Sequence, residues 1–255
     1  MKRIAVITGA SSGMGRRFAE TVLASGKRLD EVWIIARRLD KLQEVTTGFP
    51  TRAISLDLTE GEDLKRYQAL LEEERPQVVL LINASGFGKF RATMDIPLEE
   101  NFGMVDLNCK ALMAMCQLTI PYMPRDSNII NIASVAAFQP VPYINVYAAT
   151  KALVLSYSRG LYCELRPKGI TVTAVCPFWT KTAFFDRAVD TEKDAIVKNY
   201  TAMYLPEQIV RRAWRDMKQG RQVSKFGFVA RFQAMLAKLL PHRFVMWYWM
   251  KQQKL

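Results

Sequence analysis

The sequence predicts an α/β fold with a doubly wound parallel sheet, and three observations carry that prediction. Short apolar, β-branched runs of strand length recur along the chain. Longer stretches of helical periodicity separate them, and repeated β–α alternation places helices on both faces of a parallel sheet. A glycine-rich loop joins the first strand directly to the first helix. At 255 residues the chain can bury one large core, and no Pro/Gly-rich linker, low-complexity tract or repeat divides it. The expectation is one domain over residues 1–255, with 222–255 as a helical C-terminal extension.

The first strand is Arg3-Ile4-Ala5-Val6-Ile7-Thr8, an apolar run that reads as buried. Gly9-Ala10-Ser11-Ser12-Gly13-Met14-Gly15 follows at once, and Phe18, Ala19, Val22 and Leu23 then recur at helical spacing. Strand, glycine loop and helix form the context that a phosphate-cradling loop needs. Glycines let the backbone turn tightly and approach a pyrophosphate, whose charge is received by the free N–H groups and the positive dipole end at the helix start. Gly9, Ser11, Ser12, Gly13, Met14 and Gly15 are therefore candidate nucleotide-binding residues, in the spacing T-G-x-x-x-G-x-G rather than G-x-G-x-x-G. The next strand, Val32 to Ala36, ends at Arg37-Arg38. In a dinucleotide fold this strand end faces the adenosine ribose, where an acid suits NAD and an arginine suits the 2′-phosphate of NADP. Two arginines and no acid stand here, so the expected cofactor is NADP(H), with Arg37 the stronger candidate of the two.

Further apolar runs at 78–82, 128–133 and 170–176 predict buried strands, and the patterns at 59–74, 98–122 and 146–165 predict the helices between them. Thr59 and Glu62 have the spacing of a capping box at the start of the first of these helices.

Tyr147 and Lys151 stand four residues apart, and Ser134 lies thirteen residues before Tyr147. Within a helix over 146–165, Tyr147 and Lys151 share one face, one turn apart. A free phenol has a pKa of roughly 10, and a nearby ammonium lowers it. A tyrosine tuned in this way exchanges a proton with an alcohol or a forming alkoxide, while a serine hydroxyl holds the oxygen.

In this order the motifs resemble those of the compact short-chain dehydrogenase/reductase family, including hydroxysteroid dehydrogenase-like members, over about residues 3–183. The resemblance implies a Rossmann-like fold and reversible hydride transfer between a nicotinamide cofactor and a carbonyl or secondary alcohol. It implies a catalytic tetrad of Asn108, Ser134, Tyr147 and Lys151, with Lys151 also bonding the nicotinamide ribose and Asn108 holding a water that relays protons to Lys151. It adds Asp57 and Leu58 beside the adenine, Asn83 and Ala84 after the fourth strand, and Pro177 and Thr182 beside the nicotinamide. Asn83-Ala84-Ser85-Gly86 departs slightly from the family's N-A-G motif. Phe178 stands where the family has a glycine after Pro177; phenylalanine rarely takes positive φ, so its ring is a candidate pocket wall.

The substrate of such an enzyme lies between the loops after the fourth, fifth and sixth strands. Phe87, Phe138, Tyr143, Phe178, Trp179 and Phe185 fall there and are the candidate substrate contacts. Aromatic walls suit a bulky apolar ligand held by a few polar contacts. A ketone or secondary alcohol on a steroid or bile-acid-like molecule is the leading reading; a 3-oxoacyl (fatty-acyl) thioester is the alternative, and a non-catalytic nucleotide-binding relative ranks below both because the tetrad is complete.

The formal net charge is +12, and residues 205–255 hold eleven Lys/Arg against two acids, a net +9. The same tail is rich in aromatics and methionine, from Phe226 to Met250. Two readings compete: a basic amphipathic helix making peripheral contact with an anionic membrane, or an apolar face packed on the domain or a second subunit. Packing is favoured, because large exposed apolar patches are uncommon. Nucleic-acid binding is not expected, since no motif accompanies the charge. Cys109, Cys116, Cys163 and Cys176 all sit in apolar stretches and read as buried thiols, without a disulfide framework or C-x-x-C pair. With the chain opening on a strand rather than a leader, a cytoplasmic location is expected. The only histidine is His242, so no histidine-based metal site is expected. The family resemblance implies a homo-oligomer, paired through the helices at 98–122 and 146–165.

Overall fold

The computed structural model describes residues 1–189, 196–200 and 202–255. Its strands are β1 (Arg3–Thr8), β2 (Glu31–Ala36), β3 (Thr51–Ser55), β4 (Gln77–Asn83), β5 (Asn128–Ile132), β6 (Thr171–Val175) and β7 (Val223–Ser224). They form one sheet in the order β3-β2-β1-β4-β5-β6-β7, and each neighbouring pair is parallel. The helices are α1 (Gly13–Glu20), α2 (Leu39–Gln43), α3 (Gly61–Glu74), α4 (Leu98–Val105), α5 (Ala111–Thr119), α6 (Asn145–Leu165), α7 (Phe184–Ala188), α8 (Pro206–Lys218), α9 (Phe228–Leu239) and α10 (His242–Gln253).

Period-2 alternation in the strands feeds two cores. Ile4 and Val6 of β1 face one side with Trp33 and Ile35 of β2, and Tyr67 of α3, Met115 of α5 and Val154 of α6 cover them. Ala5 and Ile7 face the other side with Val32 and Ile34, beneath Phe18 of α1, Leu42 of α2 and Trp214 of α8. With both faces covered, each strand is a nearly continuous apolar run, as buried parallel sheets require.

The chain runs from β1 outward to β3 and then returns to place β4 on the other side of β1. This reversal opens a crevice beyond the carboxyl ends of β1 and β4, where open α/β sheets bind ligands.

Four expectations change. The predicted helix over 98–122 is interrupted by a π-helical turn at Asp106–Lys110, between α4 and α5. Helix α3 begins at Gly61 without the Thr59/Glu62 box; instead Asp57 Oδ1 accepts from Thr59 N (3.0 Å) and Asp63 Oδ2 accepts from Asp57 N (2.7 Å). The C-terminal extension is not wholly helical, because Val223 and Ser224 pair with Ala174 and Val175 as the seventh strand. Cys163 is exposed on α6, unlike the other three cysteines.

Candidate active site

A cleft of about 1260 Å³ lies at the carboxyl ends of the strands. One end is built on the glycine loop. Gly9 has φ +66°, and a Cβ there would sit 2.8 Å from backbone atoms of Ala84 and Ser85. Thr8 Oγ1 ties the same two strand ends together, accepting from Ala84 N (3.1 Å) and Ser85 N (3.3 Å). Gly13 has φ +54° and faces Thr182 across the cleft, its Cβ position 3.5 Å from the threonine Cβ. Helix α1 starts at Gly13 with no side-chain cap and no acid in its first turn, so its leading N–H groups remain available to an anion.

Gly9, Ser11, Ser12, Gly13 and Met14 line this end. Gly15 does not, because it backs the turn, where a Cβ would collide with Gly9 O. Arg37, Arg38, Asp57 and Leu58 line the far wall, and both arginines are exposed. Arg37 lies 3.6 Å from Asp57 Oδ2. Ala84, Pro177 and Thr182 also line the cleft. Asn83 is turned away: its side chain is buried under the sheet, donating to Asn131 Oδ1 at 2.9 Å. Sequence alone missed this because the strand pleat decides which neighbour points in.

The other end holds Ser134, Tyr147 and Lys151. Ser134 follows β5 by two residues and caps a short turn, its Oγ accepting from Ala136 N at 3.1 Å. Tyr147 and Lys151 stand one turn apart on α6, with Lys151 Nζ 5.6 Å from the tyrosine ring centre. Lys151 is buried and donates to Ile132 O at 2.7 Å, fixing it to the end of β5.

Burial dominates the electrostatics. It pushes the Lys151 ammonium down to about 8. It pushes the Tyr147 phenol up to about 12, and hydrogen bonding to Ser134 only partly opposes this. The expectation that Lys151 holds the phenol below its ordinary value is therefore corrected. In this chain by itself desolvation outweighs the neighbouring charge.

Asn108 sits in the π-helical turn, fully buried, and does not line the cleft. Its Oδ1 accepts from Phe87 N (3.0 Å), while Nδ2 donates to Phe87 O (2.9 Å) and Thr150 Oγ1 (3.0 Å). It clamps the loop after β4 against α6. A Cβ on Gly86 would fall 2.7 Å from Asn108 Oδ1 and 3.5 Å from Lys151 Nζ, so glycine leaves space beside both polar groups.

Aromatic side chains wall this end. Phe90 is the hub, with ring centres at 6.2 Å to Tyr147, 5.8 Å to Trp179 and 6.0 Å to Phe184. The loop after β6 is held by Tyr204, whose N donates to Trp179 O at 2.8 Å and whose O accepts from Lys181 N at 2.9 Å. Phe87, Phe178, Trp179 and Phe185 line the cleft. Phe178 does so without positive φ, so the missing glycine costs the loop no left-handed strain. Phe138 and Tyr143 do not line it, which corrects that expectation. Phe138 carries Arg159 (5.9 Å) and Lys225 (5.4 Å) over its ring. Tyr143 takes φ +65°, and its ring joins the packing behind the pocket.

Two features went unread in the sequence. Gln139 lines the cleft, is 8% exposed, and its Oε1 has no partner among the described residues. The C-terminal helices close the apolar end with Phe232, Leu236, Phe244 and Trp249. Trp249 lies against Trp179 (6.4 Å) and donates to Pro142 O at 3.0 Å. The richness of the tail in aromatics was visible; its return to the cleft was not.

A phosphate-receptive loop facing a tyrosine–lysine–serine cluster across one crevice defines a nucleotide-dependent oxidoreductase. The chain belongs to the short-chain dehydrogenase family: residues 3–193 match that family, described as short chain dehydrogenase. It is 33% identical over 233 residues to the 17-beta-hydroxysteroid dehydrogenase type 3 of Danio rerio, covering 86% of this chain and 71% of that one. It is 33% identical over 191 residues to the very-long-chain 3-oxoacyl-CoA reductase of Anas platyrhynchos, covering 70% of this chain and 60% of that one. Among solved structures it resembles a short-chain dehydrogenase from Sphingobium yanoikuyae in complex with NADPH (28% identity, TM-score 0.77, 93% of each chain). It also resembles the bulky-bulky ketone specific alcohol dehydrogenase from Comamonas testosteroni (27% identity, TM-score 0.74, 96% of this chain and 94% of that one).

Proposed function

We propose that this enzyme is an NADP(H)-dependent oxidoreductase that interconverts a ketone and a secondary alcohol on a bulky apolar, steroid- or bile-acid-like substrate. The observation that carries the reading is the position of the Tyr147 phenol. It packs against Phe90 and Phe184, in a cleft that runs from an uncapped helix start to a wall of aromatic rings.

The residues present fit a nicotinamide dinucleotide. The tight Gly9 and Gly13 turns lead into the start of α1, which offers N–H groups, and Arg37 and Arg38 supply guanidinium groups beside the adenosine end. No acid occupies the end of β2, and Asp57 is already engaged with Arg37. This favours NADP(H), the form bound in the Sphingobium yanoikuyae relative. Dissociation constants for NADPH and NADH test the preference; tighter NADH binding would refute it.

When bound, the cofactor supplies or accepts the hydride. With its pKa near 12, Tyr147 keeps its proton at neutral pH and donates it to the developing alkoxide in reduction. Ser134 hydrogen-bonds the same oxygen and stabilises its charge. Lys151, held at the end of β5, carries a positive charge at neutral pH beside the tyrosine. Asn108 positions the Gly86–Phe87 backbone. Both Nδ2 hydrogens serve Phe87 and Thr150, so any role in proton relay falls to its Oδ1.

Substrate class follows from the wall chemistry. Phe87, Trp179, Phe184, Phe185 and Trp249 enclose apolar bulk, while Gln139 offers one buried polar contact. A 3-oxoacyl thioester is the second reading. Lys89 and Arg187 favour it, lying on the cleft beside Glu100 (3.8 and 3.2 Å) where an anionic carrier could compete for them. A screen of steroids, bile acids and acyl thioesters in both directions separates the two. Turnover confined to acyl thioesters would overturn the first reading.

A further inference from the structure

Helix α9 is packed inside out. On α9 the inward face is Ala230, Ala234 and Ala237, all buried. The outward face is Phe228, Phe232, Met235 and Leu239, exposed by 78, 45, 49 and 72%. Their spacing of four, three and four residues makes one stripe. Helix α10 buries Trp249 and Gln253 but leaves Phe244, Trp247 and Tyr248 exposed by 49, 54 and 59%. A helix that rests on a water-exposed surface turns its large apolar side chains inward; on α9 the small ones are inward. Large exposed apolar side chains grouped in this way mark a contact surface.

The charge on this surface selects its occupant. No Asp or Glu occurs from Met217 to Leu255, whereas Arg231, Lys238, Arg243, Lys251 and Lys254 all lie on or beside the two helices. Those five are exposed, and none forms an ion pair among the described residues. A second copy of the chain would bring the same uncompensated positive charge to the interface, so self-association through this face is opposed. An anionic bilayer meets both demands, because the rings enter the acyl boundary while the lysines and arginines reach lipid phosphates. No helix among the described residues is long and apolar enough to cross a membrane, so the helices would lie along its surface.

We propose that the α9–α10 face docks on an anionic lipid bilayer. The face is continuous with the cleft, since Phe232, Phe244 and Tyr248 belong to both. If the proposed apolar substrate is correct, docking places the mouth of the cleft where such a molecule dissolves; the docking itself does not depend on that reading.

The test is co-sedimentation of the full chain with phosphatidylglycerol/phosphatidylcholine vesicles and with phosphatidylcholine vesicles alone. Phe228, Leu239 and Trp247 are exposed and lie outside the cleft, so Phe228→Glu/Leu239→Glu/Trp247→Glu leaves the site intact. Retained NADPH affinity and circular dichroism serve as its folding control. Wild type should sediment with the anionic vesicles, and this variant should partition at least about tenfold less. Arg231→Gln/Lys238→Gln/Arg243→Gln should lose at least about tenfold, since each basic residue near an anionic surface contributes roughly 1 kcal/mol. Equal sedimentation of wild type and both variants, or a wild type that remains in the supernatant, would overturn the proposal. So would a wild-type dimer that the glutamate variant lacks in sedimentation velocity, combined with no vesicle binding, which would assign the face to a second copy.

Discussion

Lys151 is the residue at which burial and function conflict most openly. Its ammonium is desolvated, so the folded chain releases that proton near pH 8 rather than at lysine's usual 10.5. Below pH 8 the folded state carries the cost of a buried charge. Between about pH 8 and 10 the unfolded chain binds more protons, so this residue's contribution to stability rises with pH. The full effect is on the order of 3 kcal/mol. Urea unfolding of wild type and Lys151→Met at about pH 7 and pH 10 should show that rise in wild type and lose it in the variant. Gln139 makes a different prediction. Gln139 lines the cleft and its buried Oε1 is unpartnered, and one hydrogen bond is worth about 1 kcal/mol. Gln139→Leu should raise KM roughly fivefold and leave NADPH affinity unchanged; a weakened NADPH Kd would instead place Gln139 against the cofactor. At this scale the sequence revealed Ser134, Tyr147 and Lys151 by spacing. It could not reveal Gln139, whose meaning lies in an absent partner, nor the direction of the Tyr147 shift, which burial decides.

The elements most legible in sequence were those with one local cause. β1, β2 and α6 follow apolar periodicity and fall within a residue or so of expectation. The π-helical turn at Asp106–Lys110 did not announce itself, because its extra residue is stabilised from outside the helix: Asn108 reaches the Phe87 backbone and Thr150. β7 was invisible for a similar reason, as a two-residue strand has no periodicity and exists by pairing with β6. The glycine loop is legible because glycine has few other uses in that arrangement. Gly9 lies at positive φ with no room for a Cβ beside Ala84. Gly9→Ala should lower Tm by at least a few degrees, from a left-handed cost of about 1–2 kcal/mol plus the clash. It should weaken NADPH binding by at least roughly tenfold. Wild-type Tm and affinity in this variant would show that the turn is not built as described.

Across the whole molecule, the reversal of strand order between β1 and β4 puts the glycine loop, the serine after β5 and the start of α6 around one crevice. This convergence was legible as family resemblance rather than from composition. The C-terminal helix pair was only half legible. Its charge and aromatics were plain, and the expected packing on the domain or a second subunit is met on the domain side by Trp249, while Phe228, Leu239 and Trp247 stay exposed. One helix pair thus walls the cleft with some rings and offers others outward, a division set by docking geometry that a linear pattern does not encode. Because of this convergence, one oxygen atom on α6 should separate chemistry from cofactor binding. The decisive measurement is single-turnover kinetics and NADPH affinity of Tyr147→Phe on a ketone that wild type reduces. The phenylalanine keeps the ring packing against Phe90 and Phe184 and removes the proton donor. NADPH Kd should stay within about twofold of wild type and the rate should fall by roughly 100-fold or more, the scale of lost acid catalysis; turnover near that of wild type would contradict the role of Tyr147.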